Sequence, residues 1–258
     1  MFMNEYPIFL RKHLLKIEML ENLRDYPRDL AEVYYKNYSN GILSGCELEV
    51  SGQYLVLHPG IMIFNHQVYV LKEEERVPYQ AEDCNVYLKI KFMDAYKDLE
   101  KTSYMSQVVL DTEEPNQKEE IELCRFRLQK GNKLRNEYVD FEDFSTTYDT
   151  LNQIYAPYSG EGESTVWPYL LHSYAKEAMK YRMPEAMDMA FCMSILRDDK
   201  AVPRRMLETY LNARLRSEKT KYSNIEIYLE LLRLLEDMKD GKNTSAGSTE
   251  GRKRIMLV

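Results

Sequence analysis

Residues 41–64 read GILSGCELEVSGQYLVLHPGIMIF, and here the chain changes from a helical to an extended pattern. Cys46, Leu48 and Val50 alternate with Glu47, Glu49 and Ser51. A strict two-residue alternation puts apolar side chains on one face of a strand and polar ones on the other. Ser51-Gly52 then reads as a turn, and Pro59-Gly60 and Asn65-His66 separate the short runs Tyr54–Leu57, Ile61–Phe64 and Val68–Leu71. Such spacing predicts a meander of tightly turned antiparallel strands.

Downstream, longer alternating runs at Val86–Met93, Tyr104–Leu110 and Ile121–Leu128 extend the sheet, with the acidic stretch Glu113–Glu120 as a loop. Residues 41–145 are therefore expected to form an antiparallel β-sandwich or barrel. Upstream, Leu10, Leu14, Ile17, Leu20 and Leu23 recur at three- and four-residue steps, predicting an amphipathic helix over about 9–24. Asp25 and Pro27 punctuate it, and Leu30, Val33, Tyr34 and Tyr38 continue as a second stripe ending at Asn40-Gly41.

Beyond the β region, 146–164 reads as a linker, with Gly160 and Gly162 among small polar residues. A helical bundle over 165–240 follows. Pro168, Pro184 and Pro203 each precede a helical stripe, the position where a missing N–H costs nothing. Ser223 with Glu226 three residues later forms a capping box ahead of a fourth helix. Residues 241–258 read as a flexible tail. The expected class is thus α+β: N-terminal helices in 1–40, the antiparallel β domain, then the C-terminal bundle and tail.

The tail ends in Arg252-Lys253-Arg254-Ile255-Met256-Leu257-Val258, three cations before four apolar residues, a composition that solvation alone does not require. These seven residues are the candidate partner-binding segment. An apolar tetrapeptide on a tether can complete a partner's sheet edge, with the cations steering it to an acidic rim.

Composition restricts function. The 258 residues carry 35 basic and 42 acidic side chains, a net charge of −7 that repels a polyanion. Nucleic acid is not the expected ligand, although Arg204, Arg205, Arg214, Arg216, Lys219 and Lys221 form a basic stripe over 204–221. No apolar run approaches the roughly 18 residues of a membrane span, and the first ten residues carry Asn4 and Glu5 instead of a basic and apolar signal. Cys46, Cys84, Cys124 and Cys192 form no Cys-x-x-Cys pair and are expected as free, buried thiols in the cytoplasm. His13, His58, His66 and His172 lack His-x-x-x-His spacing. No phosphate loop, dinucleotide fingerprint or nucleophile elbow is present. The expectation is a non-enzymatic protein without cofactor or metal.

Two segments carry a family resemblance. Gly41-Ile42-Leu43-Ser44-Gly45, followed by Leu57-His58-Pro59-Gly60-Ile61-Met62-Ile63-Phe64-Asn65-His66-Gln67, resembles the small β domain of phage baseplate and tail-fibre proteins. His66 stands where that family carries glycine. Ile8-Phe9-Leu10-Arg11-Lys12-His13-Leu14 is similar to the N-terminal signature of the type VI secretion baseplate adaptor. The resemblance implies a baseplate or adaptor part of a contractile, phage-tail-like injection machine. Such a part works by docking to other proteins of a large assembly, as a homo-oligomer. Two rival readings stand beside it. One is a stand-alone peptide- or carbohydrate-binding module using a face rich in the chain's 21 tyrosines; the other is a nucleic-acid-associated regulator using the basic stripe.

Overall fold

A computed structural model describes residues 4–81, 83–183, 185–197 and 200–241. It is mixed α+β, with antiparallel sheets between an N-terminal helix and four C-terminal ones. The first helix, α1, runs Ile17–Tyr34, and residues 4–16 before it are irregular. This corrects the expected pair of helices. Proline needs only φ near −65° and an absent N–H, so a helix can continue through Pro27 at the loss of one backbone bond.

Eleven strands follow among the described residues. β1 (Gly41–Gly45), β4 (Gly60–Phe64) and β5 (Gln67–Leu71) make one sheet in the order β1-β4-β5. β2 (Leu48–Ser51), β3 (Tyr54–Leu57) and β6 (Glu75–Pro78) make a second, ordered β2-β3-β6. β7 (Val86–Phe92) is the centre of a third, between β10 (Ser106–Asp111) and β11 (Glu120–Phe126). β8 (Tyr96–Lys97) and β9 (Thr102–Ser103) form a small hairpin between β7 and β10. The turn from β4 to β5 is the two-residue type expected, with Asn65 at φ 47° and His66 at φ 62°. Both signs are needed for the strand twist to match across the turn, and His66 adopts this conformation without being glycine.

Strand burial follows from position. β7 is buried at six of seven residues because it has a neighbour on both sides. That buries Lys89, which is 2% exposed; Asp111 and Glu120 on the flanking strands each place a carboxylate 3.1 Å from its Nζ. The three larger sheets enclose one apolar core, containing Leu55, Leu57, Leu88, Leu123 and Leu151.

The segment expected as a linker is instead tied down along most of its length. Leu151, Ile154, Ala156 and Ser159 are buried. Asn152 exchanges backbone hydrogen bonds with Arg125, and Ser159 N–H donates to Ile42 O. Gly160 and Gly162 do not make a tether, because Gly160 N–H donates to Ser39 Oγ and Gly162 N–H to Asn37 O. Buried backbone must find partners, and here the edges of β1 and β11 supply them. Trp167 then packs against both the sheet core and the helical core.

The helical core is built by α2 (Pro168–Ala178), α3 (Ala186–Leu196), α4 (Arg204–Leu215) and α5 (Asn224–Lys239). Pro168 opens α2 and Pro203 caps α4. The Ser223–Glu226 capping box opens α5 as its sequence dictates. A second box, Glu185 with Asp188, opens α3.

Three of the four thiols are buried and Cys84 is half-buried. Burial pushes the Cys46 and Cys192 thiols up to about 12, and Cys124 higher still. The reactive species is the thiolate. An aromatic disulfide reagent at pH 8 is therefore expected to titrate one thiol, Cys84, in the native chain and all four after denaturation. Rapid native reaction of Cys46, Cys124 or Cys192 would contradict this packing.

Candidate interaction surface

The largest departure from ordinary packing is at the N-terminus. No residue of α1 is buried, although amphipathic helices are normally stabilised by burying their apolar stripe. Leu20, Leu23, Leu30 and Tyr34 fall on one line of the helix and are 47%, 56%, 60% and 66% exposed. Ile17 and Val33 are more open still. The arm before it, residues 4–16, exposes Tyr6, Ile8, Phe9, Leu10, Leu14 and Leu15. Helix α1 approaches the rest of the molecule beside β5, and Asn40 Oδ1 accepts from Asn65 N–H to pin the chain where α1 has ended. Eighteen helical residues extend about 27 Å. The apolar stripe thus spans a length suited to a partner helix or groove, and contiguous apolar surface of this kind marks interaction sites.

This surface was only half legible in the sequence. The stripe itself is visible at three- and four-residue steps. That it finds no cover within its own chain is not, because periodicity reports a face and not what lies against it.

The candidate residues Arg252, Lys253, Arg254, Ile255, Met256, Leu257 and Val258 lie outside the described residues. Four of the six cations in the basic stripe over 204–221 are engaged within the chain, while Arg205 and Arg216 are exposed. Arg204 is drawn inward, donating to Ser164 O, Tyr222 O and Asn224 Oδ1. Burial holds its pKa below the usual arginine value. Arg214 is 1% exposed and pairs with Asp188 at 2.7 Å and Glu185 at 2.9 Å. Lys219 pairs with Glu226 and Lys221 with Glu163. Cations already engaged by carbonyls and carboxylates are poorly placed to neutralise phosphates.

The tyrosines likewise do not gather on one sheet face. Tyr79, Tyr87, Tyr158, Tyr174, Tyr210, Tyr222 and Tyr228 are buried. Several satisfy their hydroxyls internally: Tyr228 Oη donates to Phe141 O and Glu142 O, and Tyr79 Oη to Gly52 O. Much of the aromatic content serves the cores, where each ring supplies apolar area.

No protein-family model matches the chain, and no curated protein matches it. Two solved structures are similar in chain course. A crystal structure of TssK has a TM-score of 0.37 and 9% sequence identity, covering 92% of this chain and 72% of that one. A cryo-electron microscopy structure of the type VI secretion system TssK-TssF-TssG baseplate subcomplex has a TM-score of 0.39 and 9% identity, covering 92% and 99%. The likeness is distant and gives no residue a role. Among the described residues, no helix is long and apolar enough to cross a membrane.

Proposed function

We infer that this chain is a structural assembly component that acts by docking to other proteins, without chemistry of its own. The observation that carries the reading is the uncovered apolar stripe of α1 and the arm before it. Fully burying a leucine or isoleucine side chain is worth about 1.5–3 kcal/mol, so a partner covering several of these residues gains a substantial driving force.

The finer reading is a baseplate or adaptor part of a phage-tail-like contractile injection system, assembled in the cytoplasm. Its support is the resemblance of Gly41–Gln67 to phage baseplate and tail-fibre β domains and of Ile8–Leu14 to the type VI adaptor signature. The test is affinity recovery of the tagged chain from its native host, with native mass spectrometry of what comes with it. Tail-tube, sheath or baseplate proteins are expected in the complex, and they should be lost with Leu20→Asp and Leu30→Asp, exposed positions whose change leaves both cores intact. Recovery of the chain without such proteins, or a complex indifferent to both substitutions, would sink the reading.

A further inference from the structure

Sheet edges are where a strand can be added, and proteins ordinarily protect them. In this fold three edges are guarded. The outer side of β1 is covered by 157–159, through Ile42 N–H to Pro157 O and Ser159 N–H to Ile42 O. The outer side of β11 is paired at Asn152. β6 carries Glu75, Arg76 and Pro78, residues that discourage pairing. Among the described residues, β5 has no paired segment, charge or proline of this kind; helix α1 approaches it, but no residue of α1 is buried there. The five residues of β5, Gln67-Val68-Tyr69-Val70-Leu71, contain no charge and no proline, and Val68 and Val70 are 37% and 57% exposed.

Beside β5 lies a groove of about 360 Å³ whose other wall is β10, the edge of the neighbouring sheet. Its floor is apolar and buried, formed by Met62, Ile90 and Phe92, with Tyr104 at the rim. The same chain carries an apolar segment outside any helix or strand whose side chains are largely exposed: Ile8, Phe9 and Leu10 are 62%, 53% and 57% exposed. The charges agree as well. The apolar segment is followed by Arg11, Lys12 and His13, whereas β5 is followed by Lys72 and then Glu73, Glu74 and Glu75, of which Glu74 is engaged by Arg76 at 2.7 Å.

We propose that residues 6–10 of one copy of this chain add as a strand along β5 of a second copy, in the β5–β10 groove. The arm runs parallel to β5, so that its basic end meets the glutamates after Leu71. Alternate residues Tyr6, Ile8 and Leu10 turn their side chains toward the groove floor and pair with β5, which leaves Pro7, without an N–H, on the unpaired outer side of the added strand. Arm and groove are different surfaces, so the contact is head-to-tail and builds a ring or a filament. This deepens the docking reading by naming one partner. Its test contains only this chain and so fails independently of the recovery experiment.

The measurement is sedimentation velocity of the purified full-length chain over a range of concentrations. Self-association is expected, and it should be lost both on deleting residues 1–16 and in Val70→Lys, an exposed change that spoils only the groove. Mixing these two variants, one retaining the groove and the other the arm, should restore a 1:1 pair. Arg11→Glu with Lys12→Glu should weaken association about tenfold or more, and Glu73→Lys with Glu75→Lys should restore it. A wild-type chain that stays monomeric, a Val70→Lys chain that associates normally, or a mixture that forms no pair would each overturn the proposal.

Discussion

Replacing Asp188 by alanine is expected to lower the unfolding free energy by about 3–5 kcal/mol, the cost of leaving a buried charge without its partner. Asp188 is 0% exposed at the first turn of α3. Its Oδ1 lies 2.7 Å from Arg214 Nε and accepts from Tyr210 Oη at 2.9 Å, while Oδ2 accepts from Glu185 N–H at 3.2 Å. Alanine strips a guanidinium, a hydroxyl and a helix cap of one shared acceptor. At about 2–4 °C per kcal/mol for a chain of this size, Tm should fall by about 6–20 °C. Glu185 lies 2.9 Å from Arg214 but is partly exposed, so it compensates little. Replacing both charges, Asp188→Leu with Arg214→Met, should recover most of the loss, because two well-packed apolar residues carry no desolvation cost. Thermal and denaturant unfolding would check both. A double variant no more stable than Asp188→Ala would mean that the pair is needed for packing and not only to neutralise itself.

Gly45→Ala is expected to cost about 2–6 kcal/mol, the sum of left-handed backbone strain and overpacking at about 1–3 kcal/mol each. Gly45 has φ 67° and pairs with Gly60 across β1 and β4. A methyl group on Gly45 would be driven into the carbonyl oxygen of Pro59, which is backbone and cannot swing aside. The mirror position is as tight: a methyl on Gly60 would meet the Cys46 backbone nitrogen and its sulfur. Gly52→Ala is the control. It has φ 63° but nothing within 4 Å of an added methyl, so it should cost only about 1–2 kcal/mol of backbone strain. Equal losses at Gly45 and Gly52 would show that conformation alone, and not the close approach of two strands, demands glycine in the Gly41-x-x-x-Gly45 and Pro59-Gly60 pair.

Much of this architecture was legible residue by residue. The alternation read from Cys46 to Val50, which the structure keeps as a strand only from Leu48 onward, the Asn65-His66 turn, the prolines at 168 and 203 and the Ser223–Glu226 box each act over a few residues. Local rules of this kind involve only neighbours in the chain, so the chain itself specifies them. The long-range features were not legible. Arg204 and Arg214 read as part of a solvent-facing basic stripe, yet their partners are Ser164 and Asn224 for one and Asp188 for the other, 20 to 40 positions away. Lys89 reads as the polar position of an alternating strand, yet β7 lies between two strands that each bring a carboxylate to it.

The sequence by itself determined most of the strands and C-terminal helices, the turns and the existence of an apolar stripe near the N-terminus, but not where the N-terminal helix begins. The tertiary structure decided which of those faces are covered. It drew residues 146–164 against the edges of β1 and β11, turned Arg204 and Arg214 inward, and left the apolar stripe of α1 uncovered. The physical reason is that periodicity fixes the direction of a side chain relative to its own backbone, whereas burial depends on distant segments that only folding brings together.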